Sequence, residues 1–226
     1  MPHTQALTLW LAELNTYSES LEKALLPMLS ASEKMKLEKI SHARKYREYI
    51  VSRTLLRHAL NDHFKQTNLL WQITESDNAP PELTAPFNNI FISLSHSNNL
   101  IALTLTHEAT GIDIEYKKPR NNLQTMATGF MTAAEKQHLL TLPQEKQTDF
   151  FYRSWCIKEA TYKLQSILNI NTTPIEKICS LNDNKQAGRI YLKEAELQQH
   201  NCKLVIASQQ RLSTIEYCNV TQFKLD

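Results

Sequence analysis

Glycine is scarce in this chain, with three in 226 residues, at 111, 129 and 188. A glycine-rich loop that cradles phosphates with backbone N–H groups is therefore excluded, and any phosphate chemistry must rest on side chains and metal. The four cysteines, Cys156, Cys179, Cys202 and Cys218, contain no Cys-x-x-Cys pair, which argues against a zinc ribbon or a thiol–disulfide motif. Eight histidines fall without His-x-x-x-His spacing. Net charge is only +2, too weak a field to mark a polyanion binder, so no nucleic-acid partner is expected. No apolar run approaches membrane-spanning length, and Met-Pro-His-Thr-Gln lacks a basic stretch leading into an apolar one. The expectation is a soluble, cytoplasmic protein with no membrane association.

What is present reads as mixed structure. The length suits one large domain or two packed halves. Ala6 to Leu11 reads as a strand, Leu21 to Leu29 as a short helix stopped near Pro27, and Ser30-Ala-Ser-Glu33 as a capping box opening another. A long helix is expected from about Ser41 to Phe64, with Tyr46, Ile50, Leu56, Leu60 and Phe64 as its buried stripe. Arg53 interrupts that stripe, either as a paired or snorkelling arginine or as a ligand contact. Residues 75–89 read as a loop. Ile90–Ser95, Leu100–Thr106 and Ile112–Tyr116 follow as an antiparallel meander with turns at His96–Asn99 and His107–Gly111. Helices are expected from Thr132 to Leu140 and from near Asp149 onward. Strands are expected at Ile175–Leu181, Arg189–Leu192, Lys203–Ala207 and Thr214–Val220. Helices and strands do not alternate regularly, so the fold class is α+β rather than a doubly wound parallel sheet.

Two stretches carry chemistry. In Gly111-Ile-Asp-Ile-Glu-Tyr116, strict alternation puts Asp113 and Glu115 on one face of a strand, ~6.5–7 Å apart along it. Two like charges so placed need water or a cation between them. In Trp155-Cys-Ile-Lys-Glu-Ala-Thr-Tyr-Lys163, read as a helix, Glu159 and Lys163 share a face one turn apart. Each pair has a plain reading as solvated surface charge. Together, three carboxylates from two elements form an all-oxygen donor set that suits Mg²⁺, which takes further ligands from substrate phosphates.

Gly-Ile-Asp at 111–113, forty-one residues between Asp113 and Trp155, then Trp-Cys-Ile-Lys-Glu-Ala-x-x-Lys at 155–163 resembles the signature of the 4′-phosphopantetheinyl transferases. Glu115 and Ser93-Leu-Ser-His-Ser97 make it similar to the longer, single-chain surfactin-type branch. The likeness covers roughly residues 30 to 165. It implies a fold of two similar α+β subdomains packed with a pseudo-two-fold relation. The first, 1–109, would contact the coenzyme A nucleotide, and the second, 110–226, would carry the metal site and the Lys-Glu-Ala helix. It implies an enzyme, acting as a monomer, that moves the 4′-phosphopantetheine arm of coenzyme A onto a serine of an apo acyl or peptidyl carrier protein. Asp113, Glu115 and Glu159 match the family's Mg²⁺ ligands, and Lys163 a lysine on the coenzyme A phosphates. Ser95 and His96 match the pair near the nucleotide 3′-phosphate, and Lys36 a basic position that also reaches it. Glu135 matches a glutamate that helps deprotonate the incoming serine, a proton that water on the metal would otherwise take. Thr132-x-x-Glu135 is equally a capping box. Lys158 is read as structural. The chain departs from the family at Asn78-Ala-Pro80, where relatives carry Gly-Lys-Pro. Coenzyme A affinity would then lean on Lys34, Lys36, Arg44 or Arg53. The alternatives are a non-catalytic coenzyme A or carrier-binding module, or another Mg²⁺-dependent phosphoryl-transfer enzyme.

Overall fold

Apolar residues on both sides of the first segment make strand β1 (Gln5–Glu13), where Leu9, Leu11, Trp10 and Ala12 are all buried. Burial of both faces marks an interior strand. Ser18 caps α1 (Glu19–Leu25) through its hydroxyl, and Pro27 sits in the short 3-10 turn that follows. Ser30 and Glu33 close the expected capping box on α2 (Ala31–Glu38), a device that contributes about 1 kcal/mol. The computed structural model describes residues 5–66, 71–77, 79–170, 172–181 and 190–223.

Helix α3 (Ala43–Phe64) ends where Lys65 adopts a left-handed conformation, φ 51°, a common stop for a helix. Its buried residues serve two clusters. Val51, Leu55, Leu56, Ala59 and Leu60 join Trp10, Ile101 and Leu103, while Tyr49 and Ile50 join Leu25 and Leu29. Tyr46 and Phe64, expected in the stripe, are only partly buried. Just before the expected loop lies β2 (Ile73–Thr74), which pairs in a two-residue ladder with β3 (Glu82–Leu83) inside it. β4 (Phe91–Ser97) and β5 (Leu100–Thr106) form a hairpin whose register pairs His96 with Ile101. His96 therefore belongs to the strand, not to the turn, which is confined to Asn98 and Asn99.

The expected meander stops there. The free edge of β5 is taken by β1, with Leu9 opposite Thr104, so β6 (Thr110–Tyr116) starts a separate sheet. After α4 (Leu123–Ala127) and α5 (Ala133–Thr141), helix α6 (Gln144–Ile167) runs 24 residues. It begins directly after Pro143, five residues before the expected start. Ile175–Lys177 is a 3-10 turn rather than a strand, and Arg189 lies outside the described residues. β7 (Tyr191–Leu197) and β8 (Cys202–Ser208) complete a sheet in the order β6–β8–β7, against which α6 lies along β6 and β8. β9 (Leu212–Val220) then pairs beside β1, giving the order β4–β5–β1–β9. The chain thus forms two units of mixed α and β structure, one of Ala109–Ser213 and one of Ala6–Glu108 with the chain from Thr214 onward. The last strand departs from the expected second half, 110–226, because its partner is the first strand. Among the described residues no helix is long and apolar enough to cross a membrane.

Candidate active site on strand β6 and helix α6

Odd-numbered residues of β6 face helix α6, and this is what assembles the site. Register is set by β8, with Asp113 opposite Val205 and Glu115 opposite Lys203. Ile112 and Ile114 are fully buried, as their period predicts, but Asp113 is also buried, at 4% exposure. The reading of Asp113 as half of a solvated surface pair is therefore corrected: α6 covers that face. Lys163 Nζ donates to Asp113 Oδ1 at 2.8 Å and to the Ile112 carbonyl at 3.0 Å. Trp155 Nε1 donates to Glu115 Oε1 at 3.1 Å, and the edge of its ring meets Phe130. The two carboxylates of β6 are thus each engaged by α6, from residues about two turns apart along the helix.

Glu159 stands on the same helix one turn before Lys163. Burial pushes its pKa up, Lys163 pulls it down, and the charge of Asp113 pushes it up, with a net rise. The charge of Asp113 is thus felt at Glu159, though burial is the larger cause of the rise. The all-oxygen donor set fits Mg²⁺ in type. As the side chains lie, Lys163 holds Asp113, and among the described residues no three His, Cys, Asp or Glu side chains are gathered for a metal. Cys156 lies behind this site. Burial, then the charges of Asp113 and Glu115, raise its thiol well above the usual range, so it is a packing residue and not a thiolate nucleophile.

Glu135 is the capping residue of α5 and is fully buried. Its Oε2 accepts from Thr132 N at 2.7 Å and pairs with Lys158 Nζ at 3.0 Å; its Oε1 accepts from both N and Oγ of Ser180 at 2.5 Å. Both oxygens are engaged within the protein, so the capping role expected of Glu135 is formed, while its role as the base for an incoming serine stays an expectation. Lys158, also at 0% exposure, further donates to the carbonyls of Ile175 and Ile178. Its structural reading holds.

The residues assigned to the nucleotide lie in the other unit. Arg53 is buried at 6%, stacks over the Tyr49 ring at 4.4 Å, and is bound to Glu75. The structure thus shows it as a paired arginine, and a contact with coenzyme A stays an expectation. Lys36 pairs with the same Glu75 at 2.7 Å and keeps a third of its side chain exposed. Beside them Arg57, fully buried, forms a pair with Glu33 at 2.7 Å. The sequence reading missed Glu75 and Arg57, whose partners lie tens of residues away and leave no local signal. Arg44 is held by Glu48 at 3.0 Å and by the Asn98 carbonyl. His96 Nδ1 lies 3.8 Å from Glu48, with most of its side chain exposed, and Ser95 is buried. Lys34 is exposed on α2 and stays an expectation. Asn78 lies outside the described residues.

An acid pair with an adjacent lysine, on a helix pressed to a strand, defines a class of site suited to phosphate chemistry with a divalent cation. Comparison with known proteins agrees. Residues 109–214, just under half of the chain, match the 4′-phosphopantetheinyl transferase superfamily. The chain is 35% identical over 77 residues to the 4′-phosphopantetheinyl transferase HetI of Nostoc sp., covering 34% of this chain and 32% of that protein. It is 28% identical over 142 residues to 4′-phosphopantetheinyl transferase psf-1 of Bacillus pumilus, covering 62% and 59%. Over 116 residues it is 31% identical to 4′-phosphopantetheinyl transferase AcpT of Escherichia coli, covering 51% and 55%. The matched part spans about a third to three fifths of the length of these relatives.

Proposed function

We propose that the protein transfers the 4′-phosphopantetheine group of coenzyme A to a serine hydroxyl of an apo acyl or peptidyl carrier protein in the cytoplasm, releasing adenosine 3′,5′-bisphosphate. The observation that carries this reading is the Lys163–Asp113 contact at 2.8 Å with Glu159 one helical turn away, inside the stretch matched to the superfamily. Phosphoryl transfer of this kind needs little covalent work from a protein, only in-line placement of the attacking oxygen and neutralisation of charge. Asp113, Glu115 and Glu159 would hold Mg²⁺, which supplies Lewis-acid charge neutralisation to a pyrophosphate. Lys163 is partly exposed, so its ammonium can give up Asp113 for a phosphate oxygen and stabilise the leaving group. Ser95, His96 and Lys36 would meet the nucleotide, Lys36 by exchanging Glu75 for a phosphate. With Glu135 sealed in its cap, the proton of the attacking serine hydroxyl would pass to water.

The test is to incubate the protein with fluorescent coenzyme A, Mg²⁺ and an apo carrier protein. Covalent label on the carrier, abolished by chelator, is expected. The engagement of Asp113 by Lys163 favours one second reading, a module that binds coenzyme A without turnover. Reversible binding of coenzyme A with no label on any carrier would establish that reading instead.

A further inference from the structure

Gly111 lies two residues before Asp113 on the same face of β6, directly under helix α6. A Cβ placed there would stand 2.0 Å from the Ala160 carbonyl oxygen, 2.5 Å from the Leu164 backbone nitrogen and 3.1 Å from the Ala160 carbonyl carbon. Residues 160 and 164 are the acceptor and donor of one i→i+4 bond of the helix. A methyl group at position 111 would land on that bond. Both obstructing groups are backbone, and Ala160 and Leu164 are at 0% exposure, so neither can swing aside. The turn in question is the one that separates Glu159 from Lys163, and Lys163 reaches across to the carbonyl of Ile112 and to Asp113. A glycine inside a strand often marks such a close approach of another backbone.

We infer that Gly111 is a positioning residue: its missing side chain sets how deeply α6 sits on β6, and so brings Glu159 and Lys163 to Asp113. This rests on the reading of those three side chains as the working ones. Any side chain at 111 must push the helix back by roughly 1.5 Å to restore ordinary contact. A displacement of about 1 Å at a reacting centre can cost ~10²-fold in rate. Gly129 supplies the contrast, since a Cβ there meets only the Met126 carbonyl at 3.5 Å, an ordinary contact.

Two measurements test the inference. In the native protein, a nuclear Overhauser contact between a Gly111 Hα and the Leu164 amide proton is expected, and its absence overturns the close approach whatever any variant does. In the second, Gly111→Ala, Lys163→Ala and the double variant are compared by rate per folded molecule, with Gly129→Ala as control. Gly111→Ala is expected to lose about 100-fold and Gly129→Ala nothing. Because Gly111 acts through the helix turn that carries Lys163, the double variant should lose little more than the worse single one. Losses that multiply, or a folded Gly111→Ala within threefold of native, would overturn the inference. If Gly111→Ala does not fold, the Overhauser contact decides alone. A native protein with no transferase activity but with that contact would refute the proposed function and leave the packing claim standing.

Discussion

Two of the three lysines of helix α6, Lys158 and Lys163, stand five residues apart, and each ends on a carboxylate. Lys158 meets Glu135 at 3.0 Å with both side chains at 0% exposure, whereas Lys163 meets Asp113 at 2.8 Å with 28% of the lysine side chain exposed. The sealed pair is surrounded by Ser180, Thr132 and the carbonyls of Ile175 and Ile178. It joins α5, α6 and the segment after α6, and no ligand can displace either partner. The open pair has the same chemistry but can exchange its carboxylate for a phosphate oxygen. On the proposed reading, burial rather than residue type separates the structural lysine from the working one along this helix.

The comparison is broken most severely at the acids. Asp113→Ala and Glu159→Gln should each lower transfer by at least about 10³-fold, since several kcal/mol of charge stabilisation are removed. Circular dichroism should stay native, and near-normal turnover in either variant would refute the site. Next comes the sealed pair: Lys158→Met leaves Glu135 as a buried, uncompensated charge and should cost about 3–5 kcal/mol in urea unfolding. Turnover per folded molecule should survive, and a variant of native stability but dead in transfer would reverse the roles assigned to the two lysines. Lys163→Ala should show the opposite pattern. Its rate should drop by about 10–100-fold, while stability falls by about 1–3 kcal/mol, because Asp113 is left buried without this donor.

The smallest effect is one of sign with pH. Burial pushes the pKa of Glu135 up, but hydrogen bonds from the Ser180 hydroxyl and N–H, the Thr132 N–H and Lys158 outweigh it and hold it low. Its contribution is complete above the ordinary carboxylate pKa, ~4.3, and is lost as pH falls through the lower folded value. Glu159 has the reverse shift, raised by burial and by Asp113 against the pull of Lys163. Its charged form disfavours the fold, so stability is gained as pH falls through its raised value. Glu159→Gln should therefore raise the thermal midpoint at neutral pH even as it removes activity. A lowered midpoint would mean that Glu159 supports the fold.

The chemistry of the site was more legible in the chain than its surroundings. Both capping boxes, Ser30–Glu33 and Thr132–Glu135, are local patterns of four residues and form as expected. The 3.6-residue period located α3 and α6, and the strand–helix motif singled out Asp113, Glu159 and Lys163. Sheet membership was not legible, because β5 could pair equally well with the strand after it or with β1 from the start of the chain. The period-2 pattern of β6 told which residues share a face but not that a helix would cover the acidic one. Arg53 showed the limit of a single odd residue in an apolar stripe. Its partner Glu75 is 22 residues away, and nothing in the chain links them before folding.

The claim at the centre is that the open lysine–acid group of β6 and α6 is where coenzyme A is cleaved. Mass spectrometry of an apo carrier protein after incubation with coenzyme A and Mg²⁺ tests it most directly, with native protein and Asp113→Ala side by side. The account predicts one added phosphopantetheine on a single serine with the native protein and none with the folded variant. Equal modification by both, or no modification by either, would contradict it.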